Sequence, residues 1–86
     1  MANTEHNKVP KRFLVCYDYG MGGLWAPIIA TSAEEILADY PELIVFDSKP
    51  PYLKQVFWDE EFAKPPVYLD RPLGTILEWL LMDRGR

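Results

Sequence analysis

The chain has one cysteine and one histidine, Cys16 and His6. A lone cysteine excludes a disulfide within the chain, and one Cys with one His cannot fill a zinc site. With no histidine beside Cys16 or any serine, a histidine-based nucleophile–base pair is excluded too. No apolar run approaches the roughly 20 residues that cross a bilayer. The polar start, Met1 to Arg12, lacks the apolar segment of a signal peptide, so a cytoplasmic location away from membranes is expected. Clustered basic charge is also missing. Nine Lys and Arg stand against thirteen Asp and Glu, for a net charge of −4. Phosphate neutralisation needs grouped Lys and Arg, so nucleic acid is not the expected partner.

What is present is an aromatic-rich chain of a size that makes one domain. Its 86 residues are 49% hydrophobic and include three Trp, five Tyr and four Phe. A domain this short buries only around 60% of its unfolded surface, so some of those rings should lie where another molecule can meet them. Residues 1–12 are polar and patternless and read as a flexible tail; residues 13–86 read as a single domain. Lys8, Lys11 and Arg12, with Arg84 and Arg86 at the other end, then read as solvated terminal charges.

Phe13-Leu-Val-Cys-Tyr-Asp-Tyr19 and Leu24-Trp-Ala-Pro-Ile-Ile-Ala30 are two β-rich runs joined by Gly20-Met21-Gly22-Gly23, the form of a hairpin. With Met21-Gly22 as a two-residue turn, Tyr19 pairs with Leu24, Tyr17 with Ala26, Val15 with Ile28 and Phe13 with Ala30. Alternation puts those eight on one face and Leu14, Cys16, Asp18, Trp25, Pro27 and Ile29 on the other. Both faces are largely apolar, so both need covering. Cys16, inside the first strand, reads as a small buried hydrophobe. A phosphate loop needs its glycines at a helix start, and these join two strands.

Ser32 with Glu35 three residues later forms a capping box, and Ala33, Ile36, Leu37 and Tyr40 form an apolar stripe. Pro41 stops that helix after Tyr40. Leu43–Asp47 follows as a third strand. A right-handed crossover makes it parallel to the second strand, and the free side of the first strand is its simplest place. That order, 2-1-3, leaves Pro27 on an edge. Tyr52–Phe62 reads as a short helix started by Pro51, with Leu53, Val56 and Phe57 inward. Val67-Tyr68-Leu69 is a brief extended stretch, open to being a fourth strand. A last helix, capped at Asp70 or Arg71 with Pro72 in its first turn, carries Leu73, Ile76, Leu77, Leu80 and Leu81 at amphipathic spacing and ends at Gly85. The expected fold is α+β: a small three-stranded, mainly antiparallel sheet, β-β-α-β followed by a C-terminal helix.

Two sets of residues carry functional expectations. Trp25, Trp58, Trp79 and Met82 are candidates for a partner surface, because Trp and Met are enriched where proteins meet. Tyr17, Asp18, Tyr19 and Trp25 are candidates for a small pocket beside the hairpin turn. Asp18 has a structural alternative, accepting backbone N–H bonds from the glycine turn. Asp59-Glu60-Glu61 and Asp70 lack the alternating oxygens and central glycine of a calcium loop and read as a solvated face. No metal or cofactor is implied.

The run Phe13–Trp25, with Tyr17-Asp-Tyr-Gly-Met-Gly-Gly-Leu-Trp25, and Ala30-Thr-Ser-Ala-Glu-Glu-Ile36 after it, resembles a group of small uncharacterised actinobacterial proteins. That group shares a strand, a Tyr-Asp-Tyr-Gly-x-Gly-Gly-x-Trp turn and a Ser-Ala-x-Glu-Ile type helix, over residues 13–46 here. Its members continue with further tryptophans where this chain has Ala26-Pro27. The resemblance implies the hairpin–helix–strand layout and no activity. The expected function is a non-enzymatic protein–protein interaction module or accessory subunit, self-associating as a homodimer. The alternatives are a small-ligand binder or minor enzyme using the hairpin pocket, and a phage- or host-encoded inhibitor that docks by an acidic face.

Overall fold

Strand β1 (Lys11–Asp18) pairs antiparallel with β2 (Gly23–Ala30) in a computed structural model that describes residues 9–85. Tyr17 lies opposite Leu24, Val15 opposite Ala26 and Phe13 opposite Ile28. This register differs by two residues from that of a two-residue turn. The loop instead spans Tyr19 to Gly22, with the Tyr19 N–H donating to the Gly22 carbonyl at 3.2 Å and Gly20 at φ 95°. A shift of two keeps every side chain on its expected face, because the strand period is two.

Helix α1 (Ala33–Asp39) begins at Ser32, whose hydroxyl accepts from the Glu35 N–H at 3.1 Å, and ends at Tyr40 before Pro41. Glu35 reaches back to Thr31, accepting from its N–H at 2.7 Å and its hydroxyl at 3.0 Å. Strand β3 (Ile44–Phe46) then pairs antiparallel with the free side of β1.

The sheet has four strands, not three. Strand β4 (Val67–Tyr68) adds parallel to β2, giving the mixed order β3-β1-β2-β4. Pro27 is therefore buried on an interior strand rather than placed on an edge. Pairing with β4 starts at Ile28, just past the proline, so its missing N–H falls outside that ladder.

Helix α2 (Gln55–Phe62) starts later than Pro51 implies, after a turn in which the Leu53 N–H donates to the Pro50 carbonyl at 3.2 Å. Its inward side is Trp58, not Val56, which is exposed. Trp58 and Phe62 stand four residues apart and bury far more apolar area than valine, so their side of the helix faces in. Arg12 holds the end of this helix. Its Nη1 donates to the Phe62 carbonyl at 2.7 Å and the Lys64 carbonyl at 3.0 Å, with the guanidinium 5.6 Å from the Phe62 ring. Arg12 thus belongs to the fold, not to a solvated tail; residues 1–8, including Lys8 and His6, lie outside the described residues.

Helix α3 (Ile76–Arg84) is capped by Thr75, which accepts from the Leu77 N–H at 3.1 Å, and not by Asp70 or Arg71. Gly74 sits at φ 79°, so a helix opened at Pro72 cannot run through it. Glu78 Oε1 accepts from the Gly74 N–H at 2.7 Å, tying the first turn back to the residue before the cap. Leu73, left outside the helix, is 81% exposed. Gly85 ends α3 as expected.

Both sheet faces are covered within the chain. Phe13, Val15, Tyr17, Ala26, Ile28 and Ala30 meet Ile36 and Tyr40 from α1 and Leu77 and Leu80 from α3. The opposite face is closed by α2 and an aromatic cluster, leaving Leu14 and Pro27 fully buried and Cys16 buried. The fold is α+β, and no helix among the described residues is long and apolar enough to cross a membrane.

Candidate functional site

Strand alternation splits the four hairpin residues expected to share a pocket. Tyr17 and Tyr19 point to the α3 side, where they line a cleft of about 340 Å³ with Leu24, Trp79 and Asp83. Asp18 and Trp25 are on the other face, beside Cys16 and the glycines of the turn. Asp18 Oδ1 accepts from the Gly20 N–H at 2.8 Å, so this carboxylate closes the turn.

Two elements build the cleft. The register places Leu24 opposite Tyr17, and α3, seated by Leu77 and Leu80, presents its outward side next to them. The Tyr17 hydroxyl donates to Asp83 Oδ2 at 2.6 Å. That bond holds the phenol above its ordinary pKa, with burial adding to the effect. The neighbouring Arg84 is engaged elsewhere. Its Nε and Nη2 meet the two Glu42 oxygens at 2.5 and 2.7 Å, and Nη2 also donates to the Asp39 carbonyl at 2.8 Å. The Arg84 hydrogen bonds hold the Glu42 carboxyl below its usual range. Arg84, read from sequence as a solvated terminal charge, is therefore a fork joining α3 to the end of α1.

The four partner-surface candidates also separate. Trp79 is 58% and Met82 50% exposed, three residues apart on α3. Trp58 is only 9% exposed and stacks on Phe62 with centroids 5.5 Å apart, so its ring is spent inside the chain. Trp25 is half-buried, stacked on Phe46 at 5.7 Å and edge-on to Phe57 at 5.0 Å.

Leu24, Trp79 and Asp83 line the cleft although the sequence assigns none of them to a pocket, Trp79 being expected only on a partner surface. Leu24 follows from the true register. Asp83 carries no local signal, because its partner Tyr17 is 66 residues away.

Cys16 is buried, and burial, reinforced by the nearby Asp18 charge, pushes the thiol up, away from the thiolate form. No group of three or more His, Cys, Asp or Glu side chains suited to a metal ion occurs among the described residues. No family model, no curated protein and no solved structure matches the chain.

Proposed function

We propose that the chain is a non-enzymatic interaction module that pairs with a second copy of itself through the outer side of α3. The observation that carries this reading is the exposure of Trp79 and Met82 one turn apart, on a helix whose inner side, Leu77 and Leu80, is fully buried. A two-fold contact between like helices brings each such pair against its own counterpart, which is how a single apolar patch is closed without an unmatched remainder. Tyr19, half-exposed beside Trp79 in the cleft, extends the patch onto the hairpin. The sheet faces do not contribute, since elements of the same chain already cover both of them. Light scattering on an eluting size-exclusion peak tests it: a dimer mass supports self-association, and a strict monomer with no co-purifying protein opposes it.

A second reading, a small-ligand binder, is favoured by the cleft itself. Its test lies at Trp79, because Asp18 is on the opposite face and closes the turn. Loss of ligand response in Trp79→Ala, with the fold intact, supports it.

A further inference from the structure

Among the described residues two carry a thioether, in different surroundings: Met21 at the hairpin turn is 90% exposed, and Met82 on α3 is 50% exposed. Met82 follows Trp79 by three residues, so the two share the outward side of the helix while Leu77 and Leu80 face inward. The turn that carries Met82 is tied down, because its neighbours Asp83 and Arg84 are bonded to Tyr17 and Glu42. A thioether is a flexible apolar group, and one added oxygen makes it polar. A core methionine would carry that change into the fold; Met82 carries it to the face proposed for self-association. The remaining sulfur is sheltered. Cys16 is buried and its thiol is pushed up, away from the thiolate that oxidants attack.

We propose that Met82 is an oxidation site that switches self-association off: a peroxide converts its thioether to the sulfoxide, and the oxidised chain stays monomeric. The sulfur lone pair attacks one oxygen of hydrogen peroxide, and the S–O bond forms as the O–O bond breaks. The departing hydroxide takes the proton of the transferred oxygen and leaves as water. Sulfur is oxidised by two electrons and the peroxide is reduced by two. A two-fold contact places a sulfoxide from each copy in an apolar face, where a polar oxygen without a hydrogen-bond partner opposes burial. The free chain is the form that meets the oxidant, since pairing covers Met82, so association and oxidation oppose each other. The inference rests on the self-association reading and names its regulation.

The test treats the full chain with hydrogen peroxide, maps sulfoxide at Met21 and Met82 by peptide mass, and reads assembly by sedimentation equilibrium. Met82 should oxidise more slowly as protein concentration rises through the association range, while Met21 keeps one rate. Sulfoxide at Met82 should weaken self-association about tenfold or more, with circular dichroism unchanged. The two methionine sulfoxide reductases, one for each epimer, should restore pairing. Met82→Leu, apolar and without sulfur, should associate with or without peroxide, and Met21→Leu should switch like the wild type. A reduced wild type that pairs, and pairs equally well once Met82 is oxidised, overturns the inference and leaves the interaction reading standing. Loss of pairing in peroxide-treated Met82→Leu overturns it too, by placing the sensitive group elsewhere. A reduced wild type that is monomeric at every concentration overturns both.

Discussion

Tyr17 and Asp83 hold the two halves of the chain together: the phenol oxygen lies 2.6 Å from Oδ2 across 66 residues of sequence. The next residue, Arg84, makes the second tie, to Glu42 and the Asp39 carbonyl. The last turn of α3 is thus fixed to β1 and to the end of α1 by adjacent residues. Leu77 and Leu80 fix the rest of it, and Trp79 is left outward.

Tyr17→Phe should loosen this joint. Amide exchange in the last turn of α3 should quicken and the melting temperature should fall. The phenol is held above its ordinary pKa of about 10 by the Asp83 bond and by burial. A raised folded value means that the stabilisation is complete below the unfolded pKa and is lost as pH rises through the folded one. Melts across the alkaline range should therefore decline more steeply for the wild type than for Tyr17→Phe.

Glu42 gives the opposite pH limb. Its folded pKa is depressed by the Arg84 fork, so its contribution is present above the unfolded carboxyl value and lost as pH falls through the folded one. Glu42→Gln should lower stability at neutral pH and flatten the acid limb. Both side chains are partly exposed, so added salt should shrink the difference between wild type and variant.

Gly23 has no room for a side chain. A Cβ there would sit 2.8 Å from Cys16 Sγ and 3.3 Å from Trp25 Nε1. Gly23→Ala should cost about 1–3 kcal/mol by forcing the buried thiol or the indole aside. Removing the sulfur in Gly23→Ala/Cys16→Ala should recover part of that loss, a non-additivity that chemical denaturation of the two single variants and the double variant would measure.

The tryptophans should behave unequally. Trp58→Ala opens a cavity under α2 and should cost about 3–5 kcal/mol. Trp79→Ala removes an exposed ring and should change monomer stability by no more than about 0.5 kcal/mol. Urea unfolding of each variant at low concentration checks both values.

Local signals made the α+β class, the two hairpin faces and the caps of α1 legible in the sequence. Alternation and the Ser32–Glu35 spacing each act within a few residues, and nothing distant overrides them. Pro72 looks like a first-turn proline and points to too early a start for α3; Gly74 at positive φ and the Thr75 cap set the start instead. The fourth strand is only two residues long, and pairing with β2 defines it more than its own composition does. The cleft was half legible. Tyr17 and Tyr19 were singled out, but Asp18 and Trp25 are excluded from it by the same alternation that places the tyrosines. Asp83 depends on how α3 docks, which no local pattern encodes.

Sedimentation equilibrium of the wild type and of Trp79→Glu over a concentration series tests the interaction reading most directly. The wild type should rise from the 10.0 kDa monomer mass toward twice that value, while Trp79→Glu, folded by circular dichroism, stays at 10.0 kDa. A wild type that remains at the monomer mass throughout, or a variant that associates equally well, would contradict it.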